Sequence, residues 1–320
     1  MVEFYTIPLF LTLGIFFLWG GAELLIRGGV SLALRMGIPI MVIGLTIMGY
    51  GTGAPELVVS MQAGLAGKGD IAIGNVIGSN IANSGLILGI AAFYRPIPIK
   101  KQFLAYDIPI MIVVSLLLTL VLIFTSDIGR FLSLFFLFGI SIYSYQTISR
   151  GKKNEHLVAI EKEEIYHLKL QYWWLEILFV IFGLVILLVG GNLFLKGSIL
   201  LAKQLNISDA IIAVTVVALG TSLPELAIAI TATKKRQEDF VIGNIVGSNI
   251  FNILIIVGMT ALINPVRIIG ITWVDYTTMM ALAFAIWIIA RSRYVISRFE
   301  GALLLSAYIA FIIYQFAGTV

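Results

Sequence analysis

Residues 44–83 read GLTIMGYGTGAPELVVSMQAGLAGKGDIAIGNVIGSNIAN, and residues 213–252 read AVTVVALGTSLPELAIAITATKKRQEDFVIGNIVGSNIFN. The two stretches align without a gap at a constant offset of 169, with 16 of 40 positions identical. Among the identities are Thr46/Thr215, Gly51/Gly220, Thr52/Thr221, Pro55/Pro224, Glu56/Glu225, Asp70/Asp239, Asn75/Asn244, Ser79/Ser248, Asn80/Asn249 and Asn83/Asn252. Self-similarity at a fixed spacing is the mark of a duplicated unit. Fainter likeness runs back to Gly21/Gly190 and forward to Pro96/Pro265, so the chain reads as two halves. Packing alone would keep small and apolar residues across such a duplication. Here Thr, Glu, Ser and Asn are kept.

These polar identities sit in very apolar surroundings. Of 320 residues, 60% are hydrophobic and 12% charged, and the mean hydropathy is +1.04. An ordinary soluble domain carries about 25% charged residues. A soluble enzyme and a disordered chain are excluded, and the unbroken apolar runs do not suit a transmembrane β-barrel. With no cysteine there are no disulfides, thiolate metal sites or thiol nucleophiles. The two histidines, His156 and His167, lie together in the only long polar stretch. The net charge of +4 points to membrane topology rather than to nucleic acid.

A spanning helix needs about 20 predominantly apolar residues. Ten runs qualify: 5–26, 38–65, 70–93, 104–124, 130–149, 173–195, 207–233, 240–263, 270–290 and 299–317. The first follows Glu3 rather than a basic segment and is read as a retained span, not a leader. With the N-terminus outside, 16 Lys and Arg fall on the cytoplasmic side and 5 on the outer side. The positive-inside rule then puts both termini outside and the 150–172 loop in the cytoplasm. The expected fold is an all-α polytopic membrane protein of ten transmembrane helices: a five-helix half over 1–149, a cytoplasmic loop over 150–172, and a second five-helix half over 173–320. An odd number of spans per half forces the second half to enter from the opposite side. The halves then form inverted-topology repeats, an architecture of secondary transporters with the site near the midplane.

Glu56 and Glu225 fall mid-span, where a carboxylate costs at least a few kcal/mol and marks function by default. Pro55 and Pro224 precede them. A proline inside a helix removes a hydrogen bond and clashes with the carbonyl four residues back, so breaks are expected at Gly51–Pro55 and Gly220–Pro224. Irregular backbone at that depth belongs beside a cavity. Asn75, Ser79 and Asn83 share one helical face, as do Asn244, Ser248 and Asn252. Gly74, Gly78, Gly243 and Gly247 allow close helix approach. All the candidate donors are hard oxygens. They suit calcium, which takes about 6–8 oxygen ligands, or sodium, and disfavour soft transition metals. Glu23, Asp107, Glu176 and Asp275 are read as lesser polar sites, the last three solvated near span ends.

GTGAPEL (51–57) with GNVIGSNIAN (74–83), and GTSLPEL (220–226) with GNIVGSNIFN (243–252), resemble the two α-repeats of the calcium/cation antiporter superfamily. The Gly-Thr-x-x-Pro-Glu pattern is similar to that of prokaryotic sodium/calcium exchangers. The resemblance implies that Glu56 and Glu225, with the main-chain carbonyls of Thr52 and Thr221, hold calcium. It implies outward sodium sites at Ser222, Ser248 and the Ala218 carbonyl, and inward ones at the Gly49 carbonyl and Ser79. Asn83 and Asn252 complete the middle, and spans one and six glide over the other eight. Gly53 departs from the pattern, standing where the first repeat usually has Ser, as Ser222 does in the second. Asn252 stands where some relatives have Asp, which speaks against potassium coupling.

The resulting expectation is antiport of Na⁺ against Ca²⁺ across the plasma membrane by alternating access, with proton-coupled exchange of Ca²⁺ as the alternative. An intramembrane hydrolase lacks a nucleophile with a base, and a passive channel does not need paired central carboxylates. Neither a cofactor, nor nucleic acid, nor an obligatory protein partner is expected. The partners are the two ions and the lipid bilayer.

Overall fold

The computed structural model describes residues 2–125, 127–153, 169–204, 218–267 and 270–317. Most of the expected cytoplasmic loop, with His156 and His167, lies outside the described residues, as does the start of the seventh run with Thr215. The described chain is helical. Its elements are α1 (Val2–Met36), α2 (Ile40–Thr52), α3 (Ala54–Leu65), α4 (Gly69–Tyr94), α5 (Phe103–Phe124) and α6 (Arg130–Lys152), then α7 (Trp173–Gln204), α8 (Ala218–Thr221), α9 (Leu223–Lys234), α10 (Glu238–Ile263), α11 (Trp273–Arg293) and α12 (Arg298–Ala317). Among the described residues seven helices are long and apolar enough to cross a membrane, and the bent α2–α3 pair makes an eighth. The protein is a helical polytopic membrane protein.

Two long helices form one layer. α1, at 35 residues, extends about 50 Å, well beyond the roughly 30 Å of a bilayer core. It runs antiparallel to α7 along a seam of glycines spaced by seven: Gly14, Gly21 and Gly28 on α1, and Gly183, Gly190 and Gly197 on α7. The two sets are offset by 169. A Cβ on any of the six would meet the opposing helix at 2.5–3.0 Å. In lipid, where apolar side chains gain little by leaving the tails, such close backbone approach supplies the packing energy.

The remaining helices surround α10, which is buried along nearly its whole length. Gly243 and Gly247 of α10 meet the backbone of α2 near Gly44 and Leu45, so the eighth expected span lies against the second. α8 in turn packs on α4. Each half therefore rests its broken helix on a helix of the other half.

Two short strand pairs clasp the ends. β1 (Ile97–Pro98) pairs antiparallel with β4 (Val295–Ile296), and β2 (Asp127–Ile128) with β3 (Val266–Arg267). β1 and β3 are offset by 169, yet α5 separates β1 from β2 and α11 separates β3 from β4. Equivalent segments thus sit at opposite ends of the bundle. Asp239 pairs with Lys100 at 2.5 Å at one end, and its counterpart Asp70 accepts the Gly270 N–H at 2.9 Å at the other.

Two carboxylates expected to be solvated near span ends are buried. Glu176 is fully enclosed, accepting from the Ser31 hydroxyl at 2.6 Å and pairing with Arg35 at 2.7 Å. Asp107 is 3% exposed and accepts from the Tyr143 hydroxyl. The overlong α1 and α7 bring an arginine to the first carboxylate and make the pairing possible. Asp275 closes a capping box with Thr272 and takes the Gln315 amide. Glu23 pairs with Lys235 at 2.6 Å.

Candidate ion site

Both breaks are narrower than the proline positions suggest. α2 ends at Thr52, Gly53 alone leaves the helix, and α3 resumes at Ala54 after a 44° bend. Ser222 does the same between α8 and α9. Pro55 and Pro224 fall in the first turn of the new helices, where a missing N–H costs nothing. Glu56 and Glu225 fall in the same first turns and are each 1% exposed. The helix N-termini place partial positive charge beside them, which offsets part of the cost of burying an anion.

Both carboxylates are buried at the junction of the two halves, each in the first turn after a helix break. Each is served by the opposite half. The Ser222 hydroxyl donates to Glu56 Oε1 at 3.4 Å, and the Thr221 hydroxyl is within bonding reach of the same carboxylate. The Thr52 hydroxyl is within reach of Glu225 and lies 3.0 Å from the Met48 carbonyl.

α4 and α10 complete the enclosure. At Ala82–Ile87 and Asn252–Val257 they widen into π-helical turns, so that Asn83 and Asn252 are carried at these irregularities. Such turns recur at functional sites because they redirect side chains. Four amides interlock across the halves. Asn83 donates to Asn249 Oδ1 at 3.0 Å, and Asn252 to Asn80 Oδ1 at 3.0 Å. Asn80 donates to the Asn249 carbonyl at 3.2 Å, and Asn249 to the Ser84 hydroxyl at 2.9 Å. Asn80 and Asn249 are absent from the site expected from sequence, although both are repeat identities beside Ser79 and Ser248.

Among the described residues seven buried side-chain oxygens have no hydrogen-bond partner, and five of them belong to expected site residues: Glu56 Oε2, Glu225 Oε2, Ser79 Oγ, Asn83 Oδ1 and Asn252 Oδ1; the other two are Asp107 Oδ2 and Thr260 Oγ1. An orphaned buried polar atom costs about 1–3 kcal/mol. These five are hard oxygens from expected site residues, the donor type that a Ca²⁺ or Na⁺ shell takes in preference to a soft metal. Asn75 differs from its expected face-mates. Its amide is spent on the Glu56 main-chain carbonyl at 3.2 Å and the Ser60 hydroxyl at 3.0 Å, a structural role.

One expected grouping is corrected. Ser248 was expected beside Ser222 and the Ala218 carbonyl, with Ser79 beside the Gly49 carbonyl. Instead the Ser248 hydroxyl donates to the Gly49 carbonyl at 3.4 Å. The cause is the crossed packing of α10 on α2 and of α8 on α4. One half-site groups Gly49, Gly53 and Ser248, and the repeat relation assigns Ala218, Ser222 and Ser79 as its counterpart, where α8 packs on α4.

The family model described as sodium/calcium exchanger protein matches residues 6–146 and 175–317. Inner membrane protein YrbG of Escherichia coli (strain K12) is 33% identical over 282 residues, covering 85% of each chain. Sodium/calcium exchanger MaX1 of Methanosarcina acetivorans is 29% identical over 344 residues, covering 96% of this chain and 98% of its own. A structure of the sodium-calcium exchanger NCX_Mj soaked with Na⁺ and Sr²⁺ superposes with a TM-score of 0.83 at 29% identity, covering 97% of this chain and 98% of that one. The family is one of transporters rather than enzymes and supports cation/Ca²⁺ antiport. The chain belongs to the sodium/calcium exchanger protein family.

Proposed function

We propose that the protein exchanges Na⁺ for Ca²⁺ by alternating access at the Glu56–Glu225 centre. The observation that carries this is a pair of buried carboxylates at the two helix breaks whose Oε2 atoms, with oxygens of Ser79, Asn83 and Asn252, have no hydrogen-bond partner. Such a group is stable when a cation supplies the missing charge. Calcium and sodium are cargo here. Glu56, Glu225 and the carbonyls of Thr52 and Thr221 would take Ca²⁺, with Asn83 and Asn252 beside them. Sodium would use the same carboxylates together with Ser222, Ser79 and the Ala218 carbonyl on one flank; Ser248 and the Gly49 carbonyl form the repeat-related flank.

One Ca²⁺ or several Na⁺ satisfy the two carboxylates, but not both at once. Competition for one oxygen set enforces exchange. An empty centre leaves two carboxylates facing each other, which opposes switching without cargo.

The architecture in this reading is ten spans in two inverted five-helix repeats, 1–149 and 173–320, joined by a cytoplasmic loop over 150–172. The protein would sit in the plasma membrane with both termini outside. Support comes from the 169-residue offset, the strand clasps that put equivalent segments at opposite ends, and the basic-residue asymmetry.

The test is ⁴⁵Ca²⁺ uptake into proteoliposomes under imposed sodium, potassium or proton gradients. Uptake driven by outward sodium alone is expected. Uptake driven only by a proton gradient would replace sodium with protons in the mechanism.

A further inference from the structure

The two half-sites flanking the carboxylates are related by the repeat, yet they are chemically unequal. Ser222 presents a hydroxyl at one, and Gly53 presents no side chain at the other. Backbone geometry does not require glycine. Gly53 has φ −73° and ψ 3°, and Ser222 holds nearly the same conformation at −88° and 5°.

What requires glycine is a ring. A Cβ at position 53 would lie 2.7 and 2.8 Å from two ring carbons of Phe251. Phe251 is 4% exposed and stacks on Tyr50, with centroids 5.1 Å apart and planes at 29°. The Tyr50 hydroxyl shares a 2.6 Å hydrogen bond with Ser144 of α6. The ring is therefore held from two directions. The repeat partner of Phe251 is Ala82, so one half-site corresponds to the pair Ser222/Ala82 and the other to Gly53/Phe251, each pair drawn from both halves. A hydroxyl has been exchanged for an aromatic plug, and a small residue on the partner helix for a large one.

We infer that Phe251 closes the Gly53 half-site to sodium and thereby sets the number of ions exchanged. Remaining positions for Na⁺ are the Ser222 half-site and the middle between Asn83 and Asn252. Two sodium ions balance two carboxylates, as does one calcium. Exchange then moves no net charge. The role in transport rests on the antiport reading, while the ion count can be tested without it.

The decisive variant transplants the other half-site's pair: Gly53→Ser with Phe251→Ala. In proteoliposomes whose membrane potential is set by potassium and valinomycin, sodium-driven ⁴⁵Ca²⁺ uptake by the natural protein is expected to be insensitive to potential. The double variant should become potential-sensitive, with its sodium Hill coefficient raised by about one. Potential-driven uptake in the natural protein, or unchanged coupling in an active double variant, overturns the inference. Equilibrium ²²Na⁺ binding to the purified protein separates it from the antiport reading. Absence of sodium-driven flux would end that reading, but one additional Na⁺ bound per chain in the double variant would still support the plug, and an equal count would refute it. If the double variant does not fold, Ser222→Gly provides the decision: bound sodium should fall by one, and an unchanged count overturns the assignment.

Discussion

Replacing Gly21 with alanine places one methyl group in the seam between α1 and α7. Its Cβ would sit 2.5 Å from the Leu187 nitrogen and 2.8 Å from the Gly183 carbonyl oxygen, where ordinary contact begins near 3.4 Å. Neither neighbour is the free end of a side chain, so the two helices must part by roughly 1 Å. A gap of that size forfeits a quarter to a half of each dispersion contact it opens, and overfilling a packed interface costs about 1–3 kcal/mol. The control lies one residue away. A Cβ on Gly20 meets nothing within 4 Å, and alanine is the better helix former by about 1 kcal/mol. Thermal denaturation in detergent, followed by size-exclusion chromatography, should show Gly21→Ala melting several degrees below the natural protein and Gly20→Ala at or above it. In the double variant Gly21→Ala/Gly190→Ala, the seam opened for the first methyl already accommodates the second. The combined loss should therefore be less than the sum. A Gly21→Ala protein that melts with the natural one would refute a seam held by backbone contact.

Glu56→Gln and Glu225→Gln should each lower apparent calcium affinity by a hundredfold or more, about 3 kcal/mol, in ⁴⁵Ca²⁺ transport while the protein remains folded. Near-normal exchange in either would dismiss a shared centre. Asn249→Ala removes the acceptor that holds the Asn83 amide at 3.0 Å. It should cost about 1–3 kcal/mol of stability and weaken calcium binding, whereas natural melting and binding would make the amide chain incidental. Because the chain has no cysteine, a single Cys at Lys153 is the only thiol. It should react with impermeant maleimide only from the cytoplasmic side, and labelling from outside intact cells would reverse the orientation.

Much of this was legible in the residues because duplication exposes function. Glu56, Asn80, Asn83, Asn249 and Asn252, all kept at an offset of 169, meet groups of the opposite half, whereas Asp70 and Asp239, kept at the same offset, lie at opposite ends; the Gly-x-x-x-Pro-Glu spacing located both breaks. Spacing within one half says nothing of which helix of the other half it meets. That is why Ser248 was expected on the wrong flank, and why Glu176 was expected in solvent rather than against Arg35. The breaks were drawn too wide because proline was read as disrupting a continuing helix, when it opens a new one. Phe251 was silent, since an apolar residue in an apolar run shows its role only once its ring is seen beside Gly53. The heptad glycines of α1 and α7 were present in the sequence but hidden among long runs that already read as lipid-facing.

The clasp between β1 and β4 also dictates an order of assembly. Ile97 cannot pair until Ile296 has been made about 200 residues later, roughly ten to forty seconds at ordinary synthesis rates. For the first part of that interval, until Ser222 and Asn249 are themselves made, the first half stands in the membrane with Glu56 lacking Ser222 and Asn83 lacking Asn249. A chain stopped midway is therefore an exposed set of buried-type polar groups with no means of closing on itself. Quality control in the membrane can read completion of the protein from those groups alone, because a single event, arrival of the second half, conceals all of them.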